Sequence, residues 1–322
     1  MEKALYIQKE VQKILGTEDV YLVGGSVRDL VMGNVPKDYD FTTSLLPDEM
    51  TEKVKAAGRR VYTIGEKFGT IGFKVPVQEK LEMIGDDGFG FSDTVMGYEY
   101  VEVTTFRSEV YTSKSRKPEV AFVTSLDEDL ARRDFTMNAM VLRSDGSIYD
   151  PYGGKLDIYA KQIKTVGMPK DRIQEDPLRI FRSARFAARY GFSIDPNFIG
   201  KARQLADRIY DVSIERWVME LDKLLTADHV YVGMTELDKM GVLRRVLPEI
   251  YNADDQPLIR DPSPIKDPDE AWAYLLKASQ WHVFGPHKSD RLTKYVNSGI
   301  CHRLKFSNAR TDLVLDKRKK KD

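Results

Sequence analysis

The sequence predicts an α+β fold: strands and helices share a small mixed sheet in the first half, and helices alone build the rest. Three observations carry this. The apolar run Val20-Tyr21-Leu22-Val23 reads as a buried strand, breaks at Gly24-Gly25 and passes into a helical pattern through Val27, Leu30 and Val31. The stretch from Tyr98 to Arg107 is dense in β-branched and aromatic residues and reads as a second strand. Residues 195–250 keep helical periodicity throughout, with Trp217, Leu221, Leu224 and Leu225 on one stripe.

The bulk composition narrows the classes. The chain of 322 residues is long enough for two or three domains with real cores. Its 50 basic and 50 acidic residues balance, so any nucleic-acid binding must come from local patches. The single cysteine, Cys301, excludes a disulfide framework and a multi-cysteine zinc site, and fits a reducing cytoplasm. The four histidines are scattered and suggest no metal site. The N-terminal fifteen residues interleave charges and do not read as a signal peptide, and no apolar run approaches membrane-spanning length. Nothing in the sequence calls for an obligatory protein partner.

In chain order, Leu5, Ile7, Val11, Ile14 and Leu15 predict a first helix closed by Gly16. After the strand–turn–helix unit, Gly33 to Pro36 end the helix, and Pro47 with Asp48 and Glu49 opens another that Gly58 closes. Residues 60–64 and 70–75 alternate as strands about a turn-like hinge, and 76–97 read as a hairpin insertion. Residues 108–120 are polar, basic and interrupted by Pro118, hence a loop in which Arg116 and Lys117 can clamp phosphate or RNA or simply face solvent. Ser125 and Glu128 have the spacing of a capping box. A hairpin over Ala139–Leu142 and Ile148–Asp150 follows, then the tight turn Asp150-Pro151-Tyr152-Gly153-Gly154. Residues 252–269 read as a linker, a helix follows over 270–279, and the tail is basic.

The chemistry concentrates at residues 24–40. A glycine turn between strand and helix brings backbone N–H groups close to an anion, and the helix start favours negative charge. Arg28 falls in that first turn. Asp38 and Asp40 lie two apart in a short extended run, so they share a face and repel unless a cation sits between them. Divalent ions of the magnesium type suit that place. Glu102 is either a third carboxylate facing this pair across the sheet or a surface residue of an edge strand.

Gly24-Gly25-Ser26-Val27-Arg28-Asp29 with Asp38-Tyr39-Asp40 resembles the first signature motif of the class II tRNA nucleotidyltransferase and bacterial poly(A) polymerase family. Arg132-Arg133-Asp134-Phe135-Thr136-Met137-Asn138-Ala139 is similar to its second, and the Asp150–Gly154 turn to a further element. The resemblance implies a polymerase-β-like catalytic head over 1–165, an all-α neck over 166–250, and a short helical body with a basic tail over 251–322. It implies Asp38 and Asp40 as metal ligands, Gly25 and Arg28 near the incoming triphosphate, and Asp134 at the nucleotide ribose. Paired instead with Arg132 or Arg133, Asp134 would merely close a salt-bridged helix end.

Residues 175–190 predict a helix with Pro177 in its first turn and Asp176 as its cap. Arg179, Arg182, Arg185 and Arg189 form a basic ridge. Asp176 and Arg179 can lie side by side, one accepting and one donating. That pair complements the amino donor and ring-nitrogen acceptor of cytosine and adenine, whereas uracil and guanine present the reverse polarity. Each group left unsatisfied costs about 1–3 kcal/mol. Glu-Asp-x-x-Arg is also the family's amino-acid template motif, which implies Glu175, Asp176 and Arg179 for base selection and Arg182 and Arg185 for phosphate contact. The expected activity is template-free addition of C and A from CTP and ATP to a tRNA 3′ end, with two magnesium (or manganese) ions. The alternatives are a poly(A), A-adding or CC-adding enzyme, or an RNA-binding protein of the same fold without chemistry.

Overall fold

The first helix, α1 (Glu2–Leu15), lays Ala4, Ile7, Val11 and Leu15 against a sheet and ends at Gly16 in the left-handed conformation, as its sequence predicts. Gln8 and Gln12 lie in the same buried stripe. Their amide nitrogens donate to the Val20 carbonyl at 3.1 and 3.2 Å, so these donors are satisfied inside the core. The computed structural model describes residues 1–63, 65, 69–84, 90–110, 119–252, 254–257, 259, 265–284 and 298–317. The chain divides into two compact units, Met1–Ile158 and Tyr159–Asp322.

The first unit holds a mixed six-stranded sheet in the order β3-β4-β2-β1-β7-β8. Its members are β1 (Val20–Val23), β2 (Tyr39–Thr43), β3 (Thr70–Ile84), β4 (Gly90–Thr105), β7 (Val141–Leu142) and β8 (Ile148–Tyr149). Strand β2 runs antiparallel to β1 and parallel to β4. Strands β3 and β4 form one long antiparallel ribbon from Thr70↔Thr104 to Ile84↔Gly90, which takes in the described part of the predicted insertion; residues 85–89 lie outside it. One sheet face is apolar: Leu22, Phe41, Val103, Ile71 and Phe73 are buried on it beneath α1 and α3 (Pro47–Ala56). The opposite face carries a smaller cluster of Val23, Val141 and Leu130, with Tyr21 and Tyr149 packed against it. Beside these, Asp40 and Glu102 stand exposed on the same face.

Four details depart from what the sequence predicts. Residues 60–63 form no strand and contribute one isolated bridge, Tyr62↔Gly72, while the Thr70 amide bonds the Gly65 carbonyl at 3.1 Å; Ile64 lies outside the described residues. Helix α4 (Leu126–Ala131) starts after Ser125 but takes no side-chain cap from it; Asp127, Glu128 and Asp129 in its first turn supply the negative charge instead. The helix expected at 270–279 is longer at both ends, Pro268–Phe284; its start is set by the Asp267 carboxylate, which accepts the Glu270 amide at 2.9 Å, with Pro268 at the first helical position. Nor are the ends of the expected loop 108–120 irregular: β5 (Arg107–Val110) pairs antiparallel with β6 (Glu119–Phe122), as the β-branched Val110 and Val120 allow.

Among its described residues the second unit is mainly helical, with the two-residue parallel pair β9 (Gln162–Ile163) and β10 (Ser193–Ile194) and an isolated bridge, Tyr251↔Pro257. Its centre is α7 (Leu178–Tyr190), packed on α9 (Ile214–Leu225) and α10 (Val230–Lys239). Phe181 stacks on Trp217 at 5.9 Å. Trp272, fully buried, donates to Asp222 at 2.6 Å, and Arg310 of the last helix (Asn308–Lys317) joins Asp222 to Asp269. Among the described residues no helix is long and apolar enough to cross a membrane.

Candidate active site

Gly24 sits at φ 70, ψ −128, where a side chain would be strained. A Cβ there would also lie 3.1 Å from Nη1 of Arg133. Glycine thus lets the turn between β1 and α2 (Gly25–Val31) run directly beside a guanidinium. The next residue but one does a task the sequence did not disclose. The buried Ser26 hydroxyl donates to the Asp38 carbonyl at 2.9 Å and accepts the Asp40 amide at 3.3 Å, so α2 brackets the backbone of the Asp pair.

Asp40 and Glu102 are direct partners in the parallel β2–β4 register. Burial of its protein-facing side, then the charges of Glu102 and Asp38, push the Asp40 carboxyl up to about 6, against the opposing pull of Arg133. Asp40 therefore faces the negative charges of Glu102 and Asp38, a repulsion that a divalent cation would relieve. Among the described residues no three His, Cys, Asp or Glu side chains form a ready-made metal cage. Magnesium does not require one, since it is usually held by one or two carboxylates with water and substrate phosphates completing its shell.

Arg28 is only 5% exposed. Its Nε and Nη2 donate to Asp29 Oδ1 at 3.1 and 2.9 Å, and its Nη1 to Asn138 Oδ1 at 2.6 Å. The Asn138 amide donates in turn to Asp134 Oδ1 at 2.9 Å, which also accepts the Phe135 amide. Arg28 thus holds the second motif in place through Asn138. Asn138→Ala leaves the buried Nη1 without that acceptor, and the protein should lose about 1–3 kcal/mol in thermal unfolding; an unchanged melting temperature would refute the relay.

Arg132 and Arg133 both pair with Asp129, at 2.6 and 2.9 Å. Asp129 is wholly buried and also accepts from Thr42 Oγ1 and the Arg107 amide, each at 3.4 Å. Burial alone would raise its pKa, but the charges of Arg133 and Arg132 outweigh this and hold it below the usual carboxylate range. The sequence reading weighed Asp134 as the partner of these arginines and missed Asp129. The available signal was the i,i+3 and i,i+4 spacing on a helix. Arg116 and Lys117 lie outside the described residues.

In the second unit, α6 (Pro169–Glu175) ends where α7 is about to start. Arg179, 6% exposed, donates through Nη1 to Glu175 at 2.6 Å and to the Arg172 carbonyl at 2.8 Å; the other Glu175 oxygen takes Arg172 at 2.5 Å. Asp176 splits its oxygens: one accepts the Leu178 amide at 3.1 Å, and the other lies 3.2 Å from Arg216. Arg179 is therefore oriented by Glu175, whereas the sequence reading had set Asp176 beside it. Arg185 pairs with the buried Glu220 at 2.6 Å and lies over Phe186; Arg182 is farther from Glu220, at 3.9 Å.

Residues 20–164 match the poly(A) polymerase head domain, and residues 191–253 the probable RNA- and SrmB-binding site of polymerase A. The chain is similar to the CCA-adding enzyme of Levilactobacillus brevis, 38% identical over 225 residues, covering 70% of this chain and 50% of that protein. It is 34% identical to the Bacillus subtilis CCA-adding enzyme over 282 residues, covering 86% and 64%. The Bacillus stearothermophilus CCA-adding enzyme in complex with CTP superposes with a TM-score of 0.67 at 30% identity, covering 97% of this chain and 67% of that one. The chain belongs to the CCA tRNA nucleotidyltransferase and poly(A) polymerase family. It spans between half and two-thirds of the length of the two curated relatives. Within this family the two motifs fall in the head domain match, and Glu175, Asp176 and Arg179 fall between the two matched segments. A dependence on divalent metal goes with membership.

Proposed function

We propose that this chain adds C and A from CTP and ATP to the 3′ end of tRNA. The observation that carries the reading is the Asp40–Glu102 register beside the Gly24 turn, with Asp38 adjacent and Arg133 alongside. Asp38 and Asp40 are the residues that would hold magnesium or manganese. When bound, such ions activate the terminal hydroxyl of the RNA and neutralise the departing pyrophosphate. Ser26 fixes the backbone of the Asp pair; Arg28 and Asn138 hold Asp134, whose carboxylate suits a ribose hydroxyl. Arg133, anchored by Asp129, sets a positive charge against the turn expected to receive the triphosphate.

Base choice is assigned to Glu175, Asp176 and Arg179. Glu175 holds the Arg179 guanidinium in one orientation, so its donors are fixed before a base arrives. Glu175→Ala should lower the preference for C and A over U and G by about 5- to 150-fold, the equivalent of one unsatisfied group of about 1–3 kcal/mol. Incorporation ratios from the four separate triphosphates measure this. Arg182 and Arg185 are assigned to RNA phosphate contact, although Arg185 meets it only with Glu220 as a competing partner. The three-part division at 165 and 250 is part of the same proposal.

The decisive experiment offers labelled CTP and ATP, separately and together, to tRNA ending before C-C-A, to tRNA ending in C-C, and to an unrelated RNA. Two C and one A added only to tRNA is the expected result. Long A tails on any RNA would identify a poly(A) polymerase, and A-only addition to the C-C end an A-adding partner. No incorporation with either metal would leave an RNA-binding protein.

A further inference from the structure

The β3–β4 ribbon turns one face to the helices and leaves the other open. On the covered face Ile71, Phe73, Val75, Val77, Val101 and Val103 are buried. On the open face the pairs are Gln78↔Met96, Pro76↔Tyr98, Lys74↔Tyr100 and Gly72↔Glu102. Met96, Tyr98 and Tyr100 are 60, 58 and 41% exposed, a continuous row of large side chains on alternate residues. Single exposed apolar residues need no explanation, but a row of three does. Of the six positions from Gln78 and Met96 to Lys74 and Tyr100, none is acidic and one is lysine.

The row runs straight into the candidate active site. Tyr100 reaches across Gly72: a Cβ there would collide with the Tyr100 hydroxyl, so only glycine lets the end of the ring cross over β3. The same hydroxyl reaches Glu102 at 3.4 Å. Tyr62 meets the Tyr100 ring edge-on at 5.7 Å, and Arg60 lies 5.2 Å from the Tyr62 ring. Two residues along a strand span about 6.6 Å, so Tyr100 stands about one nucleotide from Glu102 and Tyr98 about two.

We propose that this face receives the unpaired 3′-terminal bases of the acceptor RNA, stacked on Tyr100 and Tyr98, with Lys74 and Arg60 beside the phosphates. The proposal rests on the nucleotidyl-transfer reading above, because that reaction requires the RNA terminus at Asp40 and Glu102. Aromatic faces accept every base, which suits a strand whose last residue changes with each addition.

The test is binding of a tRNA acceptor-stem RNA carrying 4-thiouridine as its 3′-terminal residue, with the full chain. Photocrosslinks should map to Tyr98 and Tyr100. Tyr98→Ala and Tyr100→Ala should each weaken RNA binding by about 5- to 150-fold while leaving the KM for CTP unchanged. Tyr100→Phe, which keeps the ring and loses the Glu102 contact, should bind RNA as the parent does. Tyr98→Ala does not uncover Gly72, so it stays informative if Tyr100→Ala unfolds. Crosslinks elsewhere with unchanged RNA affinity would overturn the proposal, as would a Tyr100→Phe defect equal to that of Tyr100→Ala. Because binding needs no turnover, weakened RNA binding in a chain that incorporates nothing would sink the functional reading and spare this one. Incorporation by the parent with undiminished RNA binding by the variants would do the reverse.

Discussion

Asp40→Asn is expected to lower nucleotide incorporation by about 10³-fold or more. A bound metal supplies several kcal/mol of charge stabilisation, and each ~1.4 kcal/mol is a factor of ten. The same substitution should make the metal-free protein more stable near neutral pH, because it removes the carboxylate that is buried on one side and repelled by Glu102 and Asp38. Activity and stability then move in opposite directions, as they do where a site stores repulsion for its ligand. Magnesium should raise the melting temperature of the parent and not of the variant, since only a ligand bound to the folded state stabilises it. Thermal unfolding with and without magnesium, beside single-turnover incorporation, measures both. An Asp40→Asn protein that magnesium still stabilises would remove Asp40 from the metal site.

Asp129→Ala should destabilise the first unit by about 3–5 kcal/mol, the usual result of removing one partner from a buried ion pair. The side chain of Asp129 has no solvent exposure, and those of Arg132 and Arg133 only 14 and 18%, so solvent screens the lost charge poorly. The pH dependence has a definite sign. Asp129 titrates below its ordinary value in the fold. Its contribution is thus fully present above the unfolded pKa near 3.9 and is lost as pH falls through the lower folded value. Chemical denaturation at pH 7 and at pH 3 should show the gap between parent and Asp129→Ala shrinking at the lower pH. A gap that stays constant would mean that packing, rather than charge, is what Asp129 supplies. At neutral pH the variant should also raise the KM for nucleotide, since Arg133 is no longer held beside Gly24.

The elements that local pattern governs were legible. Alternation and β-branching gave β4, the apolar run and the glycine pair gave β1 and α2, and proline with following acids gave α3. The Asp38–Asp40 spacing was enough to expect a cation site. What could not be read was which distant residue answers which. Ser26 grips the Asp pair because β2 folds back beside α2, and Asn138 receives Arg28 across 110 residues of chain. Asp129 was hidden for a different reason: three consecutive acids at a helix start look like ordinary dipole compensation, and only burial separates Asp129 from Asp127 and Glu128. Residues 60–64 have the composition of a strand, yet among the described ones only Tyr62 is bridged, to Gly72.

The parallel pairing of β2 with β4 also sets the order in which the protein can be made. Thr42 and Thr104 meet across 62 residues, and Asp40 and Glu102 share that separation. The β3–β4 ribbon, by contrast, closes on neighbours such as Ile84 and Gly90. Hairpins form within about 1–10 μs, whereas bringing distant segments together carries a closure entropy that grows with the intervening length. The ribbon should therefore zip early and arrive at β2 as a finished edge. Glu102 meets the Asp pair only in that docking, so their repulsion opposes this longer-range step and leaves the closing of the ribbon untouched.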